Sequence, residues 1–164
     1  MKIGRVTLSD RAATGVYEDR SGPEIESIIA AHFATPVEFI RHLIPDDLPL
    51  IERTLRDLCD AAQCPLVITT GGTGPSARDV TPEATRAVIE KELPGFGELM
   101  RLRSYETVPT AILSRATAGI RGKSLIVNLP GKPAAVSYCL PLLLPAIVEC
   151  LDHLTGLRPT LKTP

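Results

Sequence analysis

At 164 residues, with 44% apolar and 23% charged side chains, the chain has the composition of one soluble globular domain with a substantial core. A net charge of −1 argues against a global basic field for nucleic acid or an anionic membrane, and the lack of tryptophan with only 4% aromatics leaves little for base-stacking platforms. Four cysteines (Cys59, Cys64, Cys139, Cys150) show neither C-x-x-C nor metal-finger spacing, so reduced, buried thiols in a cytoplasmic protein are expected.

Met1-Lys2 leads straight into a strand over residues 3–8, and no apolar h-region for a signal peptide fits there. Ser9-Asp10-Arg11 then opens a polar loop containing Gly15 and Gly22. A helix follows from Pro23 to Phe33, because Ile25, Ile28, Ile29 and Phe33 recur at helical spacing. Residues 36–43 read as a strand, and Ile44-Pro45-Asp46-Asp47 as a turn with a helix start in which either aspartate could cap. The helix beyond puts Leu48, Ile51, Leu55, Leu58 and Ala62 on one face.

Leu66-Val67-Ile68-Thr69-Thr70 is apolar at successive positions, the pattern of a central parallel strand covered on both faces. It ends in Gly71-Gly72-Thr73-Gly74. Thr81-Pro82 reads as an N-cap with proline in the first helical position, which leaves Asp79 outside the helix and free for other work. Another helix follows Pro94-Gly95-Phe96-Gly97, with Phe96, Leu99 and Met100 inward; residues 111–121 read as a short helix and then an edge strand ending at Gly122. A strand over 124–129 runs into Pro130-Gly131-Lys132-Pro133 and a final helix over about 133–154. The apolar run near 140–151 is interrupted by Pro141, Pro145 and Glu149, so no membrane span is expected. The whole reads as a three-layer α/β/α sandwich with a mainly parallel central sheet. It occupies one domain over 1–157, with a loose Pro-containing tail over 158–164.

Two apolar strands thus end in glycine-bearing turns that lead into helices, and this grammar places bare backbone N–H groups where anions bind. Glycines can serve merely to shape a tight turn, but three of them after a buried strand favour a phosphate site, with the Thr73 hydroxyl as a further donor. The loop is neither a P-loop nor a G-x-G-x-x-G fingerprint. Asp46 and Asp79 at strand ends suit Mg²⁺, which takes one or two carboxylates plus ligand phosphates. Arg11, Arg78 and Lys132 are cations expected at the same rim, while His32, His42 and His153 have no ligand-spaced partner.

Taken in order, Thr69-Thr70-Gly71-Gly72-Thr73-Gly74, Arg78-Asp79-Val80-Thr81-Pro82-Glu83 and Leu129-Pro130-Gly131-Lys132-Pro133 resemble the molybdopterin adenylyltransferase family of the MogA/MoaB type. Ser9-Asp10-Arg11, Ile44-Pro45-Asp46, Pro94-Gly95-Phe96-Gly97-Glu98 and Ala111-Ile112-Leu113-Ser114-Arg115 extend the resemblance over nearly the whole chain. The resemblance implies transfer of AMP from Mg²⁺-ATP to the terminal phosphate of molybdopterin, with release of pyrophosphate. It further implies a homotrimer and delivery of the product to a molybdenum insertase. By motif, Asp46 and Asp79 would be the metal-associated catalytic carboxylates. Gly71, Gly72, Thr73, Gly74, Ser9 and Asp10, with Pro130, Gly131 and Lys132, would hold the nucleotide and its phosphates. Ser104 and Ser114 match positions on the molybdopterin side. A non-catalytic molybdopterin-binding or carrier protein is the alternative, and retention of both aspartates argues against it.

Overall fold

A computed structural model describes residues 1–162. Its centre is a six-stranded sheet in the order β2-β1-β3-β6-β5-β4. The strands are β1 (Lys2–Leu8), β2 (Glu38–Ile44), β3 (Leu66–Thr70), β4 (Lys91–Glu92), β5 (Ala118–Arg121) and β6 (Ser124–Leu129). β2, β1, β3 and β6 run parallel, whereas β5 is antiparallel to β6 and β4 to β5. The helices are α1 (Asp10–Ala13), α2 (Ser21–His32), α3 (Leu48–Arg56), α4 (Thr81–Val88), α5 (Gly95–Tyr105) and α6 (Pro133–Thr155).

The buried runs become strands because helices cover both faces of the sheet. Side-chain alternation sends Leu66, Ile68, Leu125 and Val127 into a core shared with Ile25 and Ile29 of α2 and Leu140, Leu143 and Ile147 of α6. Val6, Leu8, Val67 and Ile126 face the opposite core, with Ile51 and Leu55 of α3 and Ala84 and Val88 of α4. Each such fully buried aliphatic side chain contributes roughly 1.5–3 kcal/mol. The layered sandwich with its mainly parallel sheet is therefore the architecture the sequence predicts.

Several local expectations are corrected. β5 is not the edge strand; the two-residue β4 covers it, a strand too short to show a periodic signal. Leu99 points outward and is 38% exposed, while Met100 is buried. The apolar run at 140–151 is not broken: α6 continues through Pro141 and Pro145 for 23 residues and by length and composition could cross a bilayer. In this fold its apolar side packs on α2, α5 and β6.

The tail is not loose over 158–162. Leu161 bridges Phe33, the Ala34 amide donates to the Thr160 carbonyl at 2.8 Å, and Pro159 is buried. These backbone bonds offset the ordering entropy that a terminus otherwise keeps. Residues 163–164 of that tail lie outside the described residues.

Candidate active site

Register decides where the loops emerge. Leu8 pairs with Ile44, Thr7 with Thr70, and Thr70 with Leu129, so four parallel strands end along one line. α2 after β1 and α3 after β2 lie on opposite faces, and the chain crosses over β1 to reach β3. The crevice above β1 and β3 is the topological switch point at which α/β sheets bind ligands. A cleft of about 720 Å³ lies there, lined by Ser9, Asp10, Asp46, Gly71, Gly72, Thr73, Gly74, Asp79, Gly131 and Lys132.

The two glycine loops meet backbone to backbone. A side-chain carbon on Gly131 would sit 3.1 Å from the Gly71 Cα, the Gly71 amide donates to the Leu129 carbonyl at 3.3 Å, and the Thr70 hydroxyl donates to the Pro130 carbonyl at 2.7 Å. Gly71 and Gly72 have φ of 99° and 62°, a conformation only glycine adopts cheaply. Thr81 is not the cap of α4. It lies inside the helix, and its hydroxyl donates to the Gly71 carbonyl at 2.9 Å while its amide reaches the Gly72 carbonyl. The threonine that the sequence assigns to capping instead clamps the glycine loop.

The open choice at Asp46-Asp47 resolves cleanly. Asp47 caps α3 through Leu50 N–H at 2.9 Å, which leaves Asp46 for the cleft. Asp46 and Asp10 exchange reciprocal bonds: the Asp10 amide donates to Asp46 Oδ2 at 3.1 Å and the Asp46 amide to Asp10 Oδ1 at 3.0 Å. Asp46 Oδ1 is buried and, among the described residues, finds no hydrogen-bond partner. Burial pushes the Asp46 carboxyl above its ordinary range; the Asp10 amide opposes this, and the like charges of Asp10 and Asp79 add to it. An unpaired buried carboxylate oxygen beside a second carboxylate is the setting a divalent cation relieves. No group of three or more His, Cys, Asp or Glu forms a metal cage among the described residues.

Asp10, expected among the phosphate-binding residues, does line the cleft. Its carboxylate is committed to the Asp46 amide and to Arg78, whose Nε and Nη2 reach Oδ2 at 3.0 and 2.7 Å. That fork, with the Asp46 amide second, holds the Asp10 carboxyl below its usual range. Ser9 spends its hydroxyl capping α1 through the Ala12 amide, although it lines the cleft. Arg11 sits over the Tyr17 ring at 5.6 Å. The cleft wall also takes Thr7, Tyr17, Asp19 and Ser21, which sequence reasoning misses. The spacing of Asp19 to Gly22, whose amide it accepts at 2.9 Å, is the one available signal.

A second cavity of about 430 Å³ lies between α5, α6 and the 3₁₀ turn Pro109–Leu113. Ser104 and Ser114 both line it, as does Pro130, which the structure places here and not on the first cleft. Lys132 lines both.

Residues 4–149 match a family model described as a probable molybdopterin binding domain. A molybdopterin adenylyltransferase of Helicobacter pylori is 54% identical over 154 residues, 94% of this chain and 88% of its own length. The chain belongs to the molybdopterin adenylyltransferase family. The Escherichia coli molybdopterin adenylyltransferase is 51% identical over 140 residues, covering 85% of this chain and 72% of its own. Among solved structures, the molybdopterin biosynthesis enzyme MoaB of Thermus thermophilus superposes with a TM-score of 0.87 at 39% identity, covering 95% of this chain and 97% of that one.

The raised Asp46 carboxyl has a measurable consequence. Its folded state binds a proton more readily than its unfolded state, so its contribution weakens folding as pH rises from the ordinary carboxylate range through the raised value. Asp46→Asn, neutral at every pH, is expected to melt higher than wild type at neutral pH. Mg²⁺ is expected to raise the wild-type melting temperature and leave that of Asp46→Asn unchanged. Equal melting of the two proteins, or equal responses to Mg²⁺, would count against this account of Asp46.

Proposed function

We propose that the cleft transfers AMP from Mg²⁺-ATP to the terminal phosphate of molybdopterin, with Asp46 and Asp79 as the catalytically essential, metal-associated carboxylates. The family makes the chain a nucleotidyltransferase of molybdenum cofactor biosynthesis, with ATP and molybdopterin as substrates. The observation that carries the residue assignment is the buried Oδ1 of Asp46, unpartnered among the described residues, in a cleft that Asp79 also lines and that shares Lys132 with a second cavity.

In this reading the triphosphate lies along residues 71–74 and Gly131, where backbone N–H groups meet its charge, and the pterin occupies the cavity lined by Ser104 and Ser114. Lys132, common to both, stands where the two phosphate groups approach. A non-bridging oxygen of the molybdopterin phosphate attacks the α-phosphorus of ATP; the bond from that phosphorus to the bridging oxygen breaks and pyrophosphate leaves with the electron pair. The nucleophile is already anionic, so no general base is required, and positioning with charge neutralisation limits the rate. Mg²⁺ held by Asp46 and Asp79 would supply that neutralisation. The cytoplasm as location, with its reducing conditions, agrees with four free cysteines. The adenylylated pterin then passes to a molybdenum insertase.

A homotrimer belongs to the same proposal. Leu102 and Tyr105 of α5, Ile112 and Leu113 of the 3₁₀ turn, and Val108 between them are all at least half exposed, an apolar surface that a self-associating chain covers. Sedimentation equilibrium is expected to give three times the 17.6 kDa chain mass, and Leu102→Glu is expected to give a monomer. A monomeric wild-type protein would end the trimer proposal.

The activity itself is tested by mixing the protein with molybdopterin, ATP and Mg²⁺ and following pyrophosphate. Release that needs all three is expected. Molybdopterin binding without release would favour the carrier reading.

A further inference from the structure

We propose that Arg115 is a positioning residue for adenylyl transfer, holding loop 74–79 in the shape that presents the Asp79 carboxylate; the proposal rests on the reading of the cleft given above. Arg115 lies between the 3₁₀ turn and β5 and does not line the cleft. Its amide donates to the Thr73 carbonyl at 2.8 Å. Its guanidinium donates from Nε to the Gly74 carbonyl at 2.8 Å and from Nη2 to the Asp79 carbonyl at 2.6 Å, and Nη1 pairs with Glu83 in the first turn of α4. One planar fork thus grips both ends of the loop and the helix that follows it.

The loop has little else to fasten it. Asp79 Oδ2 accepts from the Ser76 amide at 2.9 Å and the Asp79 amide donates to the Ser76 carbonyl at 3.0 Å, but these bonds lie within the loop. The Arg78–Asp10 pair spans the cleft mouth, where Arg78 is 64% exposed and water screens the charge. The Arg115 bonds are partly buried and charge-assisted, so they hold more firmly. The same strut reaches the second cavity: Arg101, on that cavity's wall, donates to the Ser114 and Ala116 carbonyls at 3.2 and 3.0 Å. Residues 114–116 therefore join the wall facing Ser104 to the loop carrying Asp79.

Arg115→Ala and Arg115→Lys separate this role from a merely structural one. Lysine keeps the charge but offers a single ammonium in place of the fork, so it cannot reach both carbonyls. With Mg²⁺-dependent pyrophosphate release as readout, kcat is expected to fall about 30- to 100-fold in the alanine variant and about tenfold in the lysine variant. The Mg²⁺ needed for half-maximal rate is expected to rise about tenfold while KM for ATP at saturating Mg²⁺ stays within about threefold, and added ethylguanidinium to restore part of the alanine variant's rate. Independently of activity, trypsin is expected to cut after Arg78 about tenfold faster in both variants, because an unfastened loop opens more often. Arg115→Lys matching wild type in Mg²⁺ requirement and in cleavage at Arg78 overturns the proposal. So does failure of both variants to fold, as judged by circular dichroism, since the residue is then structural. A wild-type chain that releases no pyrophosphate overturns the reading of the cleft, and the trypsin comparison then still decides whether Arg115 fastens the loop.

Discussion

Asp79→Ala is expected to lower adenylyl transfer about a thousandfold or more while the melting temperature stays close to wild type, a loss of about 4 kcal/mol from transition-state stabilisation. Asp79 sits half-buried on a loop outside both core clusters, so its removal leaves no cavity. The single bond its side chain makes among the described residues, from the Ser76 amide, is solvent-exposed and worth about 1 kcal/mol or less. Its carboxylate instead adds negative charge to a cleft where Asp46 already carries one that burial disfavours. Such repulsion does not serve stability; in the proposed reaction a cation and the adenylyl group in transfer would give it a use. Pyrophosphate release and thermal melting on the same preparation check both halves. Near-wild-type turnover removes Asp79 from the mechanism, and a collapsed melting temperature makes it structural.

Gly72→Ala is expected to cost about 2–4 kcal/mol of stability and at least about a hundredfold in activity. The residue has φ of 62°, where a side chain is strained, and an added Cβ would press on the Thr81 hydroxyl and lie 2.9 Å from Asp46 Oδ1. Thr81 is fully buried and holds the Gly71 carbonyl, so it cannot retreat without releasing the loop. Asp46 is tied by its own amide and by that of Asp10. The substitution therefore strikes the backbone, the clamp and the carboxylate together. Urea unfolding with pyrophosphate release measures both losses. A variant of unchanged stability would mean that the loop relaxes more freely than its contacts allow.

What could be read in the sequence follows from range. β3 and β6 show as apolar runs because helices cover both their faces, and α2 and α3 show as helical stripes because each packs on one face. The loops at their ends follow from that order, which is how Asp46, Asp79, residues 71–74 and Lys132 come to share one cleft. The contacts between loops are invisible in a sequence. Asp10 meets Asp46 across 36 positions and Arg78 meets Asp10 across 68, and no local pattern encodes such pairs. Thr81 looks like a cap because threonine before proline usually is one; the fold turns its hydroxyl to Gly71, whose bare carbonyl needs a donor. Pro141 and Pro145 read as breaks, yet tertiary packing of α6 outweighs the hydrogen bonds they forfeit. Arg115 enters the sequence only as part of the Ser114-Arg115 motif; its bonds to the Gly74 and Asp79 carbonyls and to Glu83, 32 to 41 positions away, leave no local pattern.

The central claim is that two phosphates react in the cleft between Asp46 and Asp79. It is tested most directly by ATP labelled at its α-phosphate, incubated with molybdopterin, Mg²⁺ and wild-type protein or Asp79→Ala. The account predicts label on the pterin, one pyrophosphate per label transferred, and neither product from the variant or without Mg²⁺. Bound molybdopterin with all label remaining in ATP would contradict it.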